Sequence, residues 1–457
     1  MRLRSSIHDC DRPGEGFSAC SRDRGMKAIA FLLGLSLTTN VIYLFKIGNT
    51  CVYIGYIVAC IAALYLFTMN RQAGKIKLGF IDRSIWMFAG LTGLSLVPSL
   101  VQAATGSLPA VAPIVVLKGL AVLVCGIITY CVVICLGEWT ESLVKGIAIG
   151  IILNGILSVV QQLAFESGSF FTLCRWFPQG SFYVSAPWET WGQLPAVAEG
   201  ITTYRAQGLF LEASHLSVFL VCMTPLVFLF LKNFFIKILV SVSSIYCCIL
   251  SYSPNIAFLI IELFVLFYFA HAANKGRRPF NQRVGALTIL MAFFIFCITM
   301  LLVIAKPQLI TGIFDLVESS ISDVNVESTT DTGTLERWSS MLKAISAAFQ
   351  YPFSAGWNTE SITLQFLYGS SDVASHSFCI RLLLELGILG VIAYVYVIYR
   401  HSFPLLSKMN IVRLRCLGLA VIFLFVCQAS NGTVMLPWVW ALLGIARAAI
   451  WTIEPQR

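Results

Sequence analysis

The sequence predicts an all-α integral membrane protein with about twelve transmembrane helices and two long loops on one face. Three observations predict it. First, 58% of the 457 residues are hydrophobic and only 12% are charged, with a mean hydropathy of +0.83. A soluble domain carries about 25% charged residues, so this chain cannot coat a water-exposed body of its size. Second, apolar runs recur along the chain at the length of about 20 residues that a bilayer crossing needs. Third, Lys and Arg collect in alternate loops. The composition excludes a soluble enzyme, a disordered chain and a fibrous one.

Taken in order, the apolar runs are 28–47, 50–69, 85–104, 114–136, 143–165, 209–231, 234–252, 254–272, 284–305, 376–399, 412–429 and 434–451. Ser253-Pro254-Asn255 and Ser430-Asn431-Gly432 are turn signals that divide neighbouring spans. Residues 1–27 are polar, mixed in charge and without periodicity, which predicts a disordered cytoplasmic tail. Met26-Lys27, directly before the first run, reads as an alternative start. The first run is long for a signal-peptide core and has no clear small-residue cleavage site, so it is expected to be retained. The membrane domain is expected over 28–452, with a short cytoplasmic tail at 453–457.

Orientation follows from the positive-inside rule. Arg71, Lys75, Lys77 and Arg83 follow the second run. Lys275, Arg277, Arg278 and Arg283 follow the eighth, and Arg400, Lys408, Arg413 and Arg415 follow the tenth. These twelve basic residues face one acid, Asp82. All three loops are even-numbered, so they share a side with both termini, the cytoplasm. The net charge of +9 therefore reports membrane orientation and not a nucleic-acid partner. The long loops, 166–208 and 306–375, fall on the opposite face. The first is rich in Trp, Phe, Pro and Gly; the second holds eight acids against Lys306, Arg337 and Lys343. Loops longer than a connection needs tend to carry function, so chemistry is expected at the external face.

The 15 cysteines fall mostly inside apolar runs, where a free thiol behaves as a small hydrophobe. None has zinc spacing, and Cys174, alone in the first long loop, is expected to have no disulfide partner.

Three clusters carry chemistry. Tyr204-Arg205-Ala206-Gln207-Gly208-Leu209-Phe210-Leu211-Glu212-Ala213-Ser214-His215 lies where the first long loop returns to the membrane. Arg205 is the one Arg or Lys near this edge, and Glu212 and His215, three apart, share a helix face. Ionisable groups at membrane depth are functional by default; the structural alternative is that Arg205 snorkels to lipid phosphate and Glu212 pairs with it. In the second cluster, Asp331-Thr332-Gly333-Thr334-Leu335-Glu336-Arg337-Trp338 precedes Tyr351-Pro352-Phe353-Ser354-Ala355-Gly356-Trp357. Trp338, Leu342, Ile345 and Phe349 recur at helical spacing, which predicts a short amphipathic helix on the membrane or the bundle, with Thr334 as its N-cap. Arg337 in its first turn opposes the helix dipole and calls for an anion: Glu336, Asp331 or a bound phosphate. The third cluster runs from Ser375-His376-Ser377 through Arg381, Glu385, Gly387 and Gly390. Arg381 and Glu385, four apart, are expected to pair and orient the helix, and the two glycines to allow close packing.

These groups suit one reaction. Guanidinium binds phosphate bidentately and stays charged, so Arg205 and Arg337 can neutralise a diphosphate. His376 can take a proton from a sugar hydroxyl near neutral pH. The aromatic first loop can stack on sugar rings. No Asp-x-Asp motif marks a metal, so neither a metal nor another cofactor is expected, and the arginines would stabilise the leaving group themselves.

At these clusters the chain resembles the bacterial O-antigen polymerase and O-antigen ligase superfamily. The resemblance rests on YRAQGLFLEASHLSVFL after the first long loop, on GTLERW and YPFSAGW in the second, and on HSFCIRLLLELGILG opening the next helix, in that order. It is close over about 200–400 and extends by hydropathy elsewhere. Ser377 stands where the family usually has Asn after the histidine, and Ala213 where many polymerases have Pro. The resemblance implies a GT-C-like glycosyltransferase of the bacterial inner membrane. It would act at the periplasmic face on undecaprenyl-diphosphate-linked glycan, with a glycan acceptor and a chain-length regulator protein as partners. His376, Arg205 and Arg337 would be catalytic, and Glu212, His215 and Trp357 would contact substrate. The Glu-x-Ser-His form around Glu212 favours a repeat-unit polymerase over a ligase acting on lipid A-core or protein. The competing class is a lipid-linked-glycan flippase or other transporter, for which mid-span Lys118 and Glu262 speak.

Overall fold

A computed structural model describes residues 15–39, 42–47, 50–71, 81–167, 183–184, 196–198, 201–203, 206–210, 213–251, 259, 332–369, 377–407, 412–430 and 436–451. Its helices are α1 (Glu15–Ser36), α2 (Ile54–Arg71), α3 (Arg83–Leu94), α4 (Leu96–Ala104), α5 (Ala112–Cys135), α6 (Thr140–Glu166), α7 (Ala213–Phe230), α8 (Phe234–Leu250), α9 (Thr332–Gln350), α10 (Glu360–Tyr368), α11 (Phe378–Leu406), α12 (Val412–Ser430) and α13 (Pro437–Trp451). Among the described residues, five segments are long and apolar enough to cross a membrane: Arg83–Ala104, Ala112–Cys135, Gly137–Ala164, Ala213–Phe230 and Phe378–Leu406. Four shorter apolar helices accompany them, Ile54–Thr68, Phe234–Leu250, Leu414–Gln428 and Pro437–Trp451. Apart from the buried Leu259, the runs at 254–272 and 284–305, with Glu262, lie outside the described residues.

Several expectations need correction. The expected disordered tail does not extend to residue 27, because α1 begins at Glu15. The expected span 28–47 is not one helix. α1 stops at Ser36, where the Ser36 hydroxyl donates to the Leu33 carbonyl and that of Thr38 to the Leu35 carbonyl. Such side-chain bonds compete with the helix ladder. The chain then forms strand β1 (Ile42–Ile47), antiparallel to β2 (Thr50–Tyr53) and to β3 (Tyr183–Val184) in the first long loop. The same loop holds the hairpin β4 (Ala196–Ala198) and β5 (Ile201–Thr203), so the fold is helical with two small sheets. The run 85–104 is divided at Ser95, three residues before Pro98. Proline has no N–H to offer the carbonyl four residues back.

The core is held by close helix approach and aromatic edges. A Cβ at Gly34 would come within 1.9 Å of the Leu143 carbonyl, and one at Gly146 within 2.1 Å of the Phe31 carbonyl. Only small residues let α1 and α6 cross this closely. Phe88 sets its ring against Trp357 and Tyr394, and Phe219 sets its ring against Phe210 and Trp438. Cys222, Cys247, Cys248, Cys416 and Cys427 are buried thiols outside any disulfide, while Cys174 lies outside the described residues. Many large apolar side chains instead face outward, among them Leu94, Val97, Ile114, Ile388, Leu389 and Ile392. A surface of this kind needs a bilayer to cover it.

α11 is interrupted. Gly387 has φ 68° and ψ −171°, a region open to glycine alone. The rings of Phe378 and Tyr394 lie 4.8 Å apart. Sixteen residues of straight helix would separate them by about 24 Å, so segment 378–386 folds back beside 388–406. Gly387 is the close-packing glycine expected here, since a Cβ would stand 2.9 Å from the Phe353 carbonyl, and it is a backbone break as well. Gly387→Ala should cost about 1–3 kcal/mol, read as a lowered unfolding temperature in detergent; an unchanged midpoint would refute the strained break.

Candidate functional site

A broken helix leaves carbonyls without partners at the end of its first segment. Here the second long loop supplies the donors. The Ala355 amide donates to the Leu384 carbonyl (2.9 Å) and the Gly356 amide to the Glu385 carbonyl (3.2 Å), to which the Ser354 hydroxyl also donates. The loop is tied equally to the other side of the bundle. Ser95 Oγ, freed by the α3–α4 break, accepts from the Trp357 amide (3.0 Å), and Gln102 Nε2 donates to the Ser354 carbonyl (2.9 Å). The Tyr351 hydroxyl donates to the Ser107 carbonyl (2.6 Å). YPFSAGW is thus a plug between two broken helices.

Beside the plug lies a charged group. Arg381 Nε is 2.9 Å from Glu385 Oε1 and 3.7 Å from Glu360 Oε2, and its Nη2 donates to Asn358 Oδ1 at 2.8 Å. Glu385 is fully buried and also accepts from the Glu360 amide (3.2 Å). Asn358 holds φ 64°, the one positive φ outside glycine among the described residues. The pairing of Arg381 with Glu385 matches the sequence expectation. Glu360 and Asn358 as third and fourth members do not follow from the helix spacing that reveals the pair.

A second segment is pinned directly after Arg205. The amides of Gln207 and Gly208 both donate to Gln161 Oε1 (3.1 and 3.0 Å), and that of Leu209 to Asn154 Oδ1 (2.7 Å). Gln161 Nε2 returns a bond to the Gly208 carbonyl, and Asn154 Nδ2 donates to the Thr38 and Gly150 carbonyls. Two buried amides of α6 therefore hold the stretch 207–209, and the Ala206 amide bonds the Leu250 carbonyl at the end of α8.

Of the residues singled out in the sequence, Arg205, Glu212 and His376 lie outside the described residues. Arg337 falls within α9, with its side chain outside the description. His215 stands half-buried in the first turn of α7. Trp357, expected to contact substrate, is 2% exposed. Its indole packs edge-on to Phe88 and over Gly119, where a Cβ would come within 2.6 Å of the ring, so in this structure Trp357 anchors the plug.

A third group was not found by sequence reasoning. Asp82 is the N-cap of α3, accepting from the Ser84 amide (2.9 Å) and hydroxyl (2.8 Å). It also meets Arg400 Nη2 at 3.1 Å and Arg447 Nη1 at 3.4 Å. Burial pushes its carboxyl up, but the Ser84 and Arg400 bonds outweigh burial and bring it down to about 2. Close by, Tyr130 Oη and His401 Nε2 are 3.0 Å apart, and His401 Nδ1 lies 2.8 Å from the Val397 carbonyl. The signal was present: Asp82 is the one acid among twelve basic loop residues.

No family model and no curated protein matches the chain.

Proposed function

We propose that the chain is a membrane glycosyltransferase that polymerises undecaprenyl-diphosphate-linked repeat units into O-antigen or exopolysaccharide at the periplasmic face. The observation that carries this reading is the order in the sequence of three motifs, bearing Arg205, Arg337 and His376, which belong to the two long loops and their expected membrane edges. The pinning of 207–209 and the plug at 351–357 lend support, because both fix the backbone beside the motifs, and positioned groups are what catalysis without a covalent enzyme intermediate requires.

In the proposed reaction a hydroxyl at the non-reducing end of one lipid-linked glycan attacks the anomeric carbon of another. The new glycosidic C–O bond forms as the bond to the diphosphate breaks. His376 takes the hydroxyl proton, and Arg205 and Arg337 hold the departing undecaprenyl diphosphate, which leaves with the bonding pair. A single displacement inverts the anomeric centre.

At unchanged protein level in the membrane, His376→Ala should lower polymer formation by about 10² to 10⁴-fold, the range for a general base, and Arg205→Ala by about 10² to 10³-fold, the range for a group that stabilises developing charge. Glycan ladders on gels are the readout, and wild-type ladders in both variants would remove the assignment. Gene deletion separates the related readings. A polymerase deletion leaves single repeats on the acceptor. A ligase deletion accumulates lipid-linked polymer and leaves the core bare.

One observation favours a second reading, a transporter. Discontinuous helices frame substrate sites in many transporters, and α11 is broken at Gly387. Lys118, one residue from the Gly119 contact with the plug, is half-buried in α5. Under this reading deletion would trap the lipid-linked repeat on the cytoplasmic leaflet.

A further inference from the structure

We propose that α9 is an interfacial helix whose large apolar side is sunk into the hydrocarbon of the bilayer leaflet on the face where the long loops lie. The proposal does not depend on the glycosyltransferase reading.

The helix is mounted with its polarity inverted. Its packed side is made of small residues: Ser340, Ala344, Ala347 and Ala348 are buried, and the alanines cluster with Leu384 of α11. Its opposite side carries Leu342 and Phe349, 62% and 78% exposed, one heptad apart and so on one stripe. Ser346 between them is exposed too, and Phe353, just beyond the helix, is 86% exposed. A helix packed on a protein in water would turn Leu and Phe inward and alanine outward, because each buried large side chain is worth about 1.5–3 kcal/mol. In lipid that preference vanishes and small residues gain the helix contact, since they let backbones approach closely. The inversion in α9 is the membrane pattern.

Continuity identifies the occupant. The Phe353 carbonyl lies 2.9 Å from where a Cβ on Gly387 would stand. The backbone at Phe353 therefore abuts the break in α11, directly before Ile388, Leu389 and Ile392, which are exposed on its second segment. Leu389 is 61% exposed on this segment, and a bilayer that covers it reaches Phe353 beside the break as well. At the flank, Lys343 holds its ammonium 5.8 Å from the Tyr368 ring centre, a placement that keeps charge off the apolar stripe.

The test uses the full chain in vesicles of phosphatidylethanolamine and phosphatidylglycerol. Phe349→benzoylphenylalanine and Phe353→benzoylphenylalanine are irradiated, with Leu389→benzoylphenylalanine as the reference for a lipid-facing position. The expected result is a mass increase of one phospholipid at 349 and 353, as at 389. Lipid adducts at 389 with none at 349 and 353 would overturn the proposal. So would a product at twice the chain mass from those two positions, since a second copy would then cover the stripe.

Discussion

Asp82→Ala should destabilise the protein by about 3–5 kcal/mol, the usual cost of removing one partner from a buried ion pair. The substitution takes away the N-cap of α3 and the carboxylate that Arg400 and Arg447 share. Thermal unfolding in detergent reads the effect, and a midpoint within a degree of wild type would show that the pairing contributes nothing. The pH dependence has a definite sign. An aspartate titrates near 3.9 when unfolded, and here the folded group lies at about 2. The unfolded state therefore takes up the proton first as pH falls. The contribution, about 2–3 kcal/mol by linkage, is complete above pH 4 and is lost as pH falls towards 2. The difference between wild type and Asp82→Asn should shrink across that window, and a difference constant from pH 5 to 3 would contradict the assigned ionisation.

Trp357→Ala should cost a similar amount, about 3–5 kcal/mol for a buried aromatic side chain. The loss has a direction. Trp357 fills the space over Gly119 and against Phe88, so its removal loosens the plug from α3 and α5 while the bonds from Ala355 and Gly356 to α11 remain. Limited proteolysis should then cut within 351–359 before any other described segment. Early cleavage elsewhere, with 351–359 still protected, would show that the indole is not the anchor. Trp357→Phe keeps part of the packing and should fall between the two.

Particular residues show what was legible in the sequence. The run 114–136 returned as Ala112–Cys135 because an unbroken apolar stretch of that length has one stable form in a bilayer. The run 28–47 failed because hydropathy does not distinguish a buried strand from a helix segment. Ile42-Tyr43-Leu44-Phe45-Lys46-Ile47 is rich in aromatic and branched side chains that suit a strand. In α9 the periodicity of Trp338, Leu342, Ile345 and Phe349 was visible, but a period does not say which way the stripe turns. At the site, the Arg381–Glu385 pair was legible because four residues of helix bring the two together. Asp82 stood out as the one acid among the basic loops, but its pairing with Arg400 was not legible, because Arg400 lies 318 positions away and no local rule connects them. Gly387 was read for its small size, which the nearby Phe353 carbonyl does require, but its dihedral freedom was not visible in the sequence.

The crossing of α1 and α6 bears on the order of assembly. α1 is not among the described segments long and apolar enough to cross a membrane by themselves. What secures it comes later in the chain: the Gly34–Gly146 contact, the bond from Trp139 to Asp23 and the bond from Asn154 to the Thr38 carbonyl. The last two each join residues 116 positions apart. At about 5–20 residues per second of synthesis, the ribosome needs roughly 6–23 s to deliver α6 after α1 has emerged. For that interval α1 has only α2 beside it, where Gly25 lies against the Tyr65 hydroxyl, and its closest packing forms when α6 arrives.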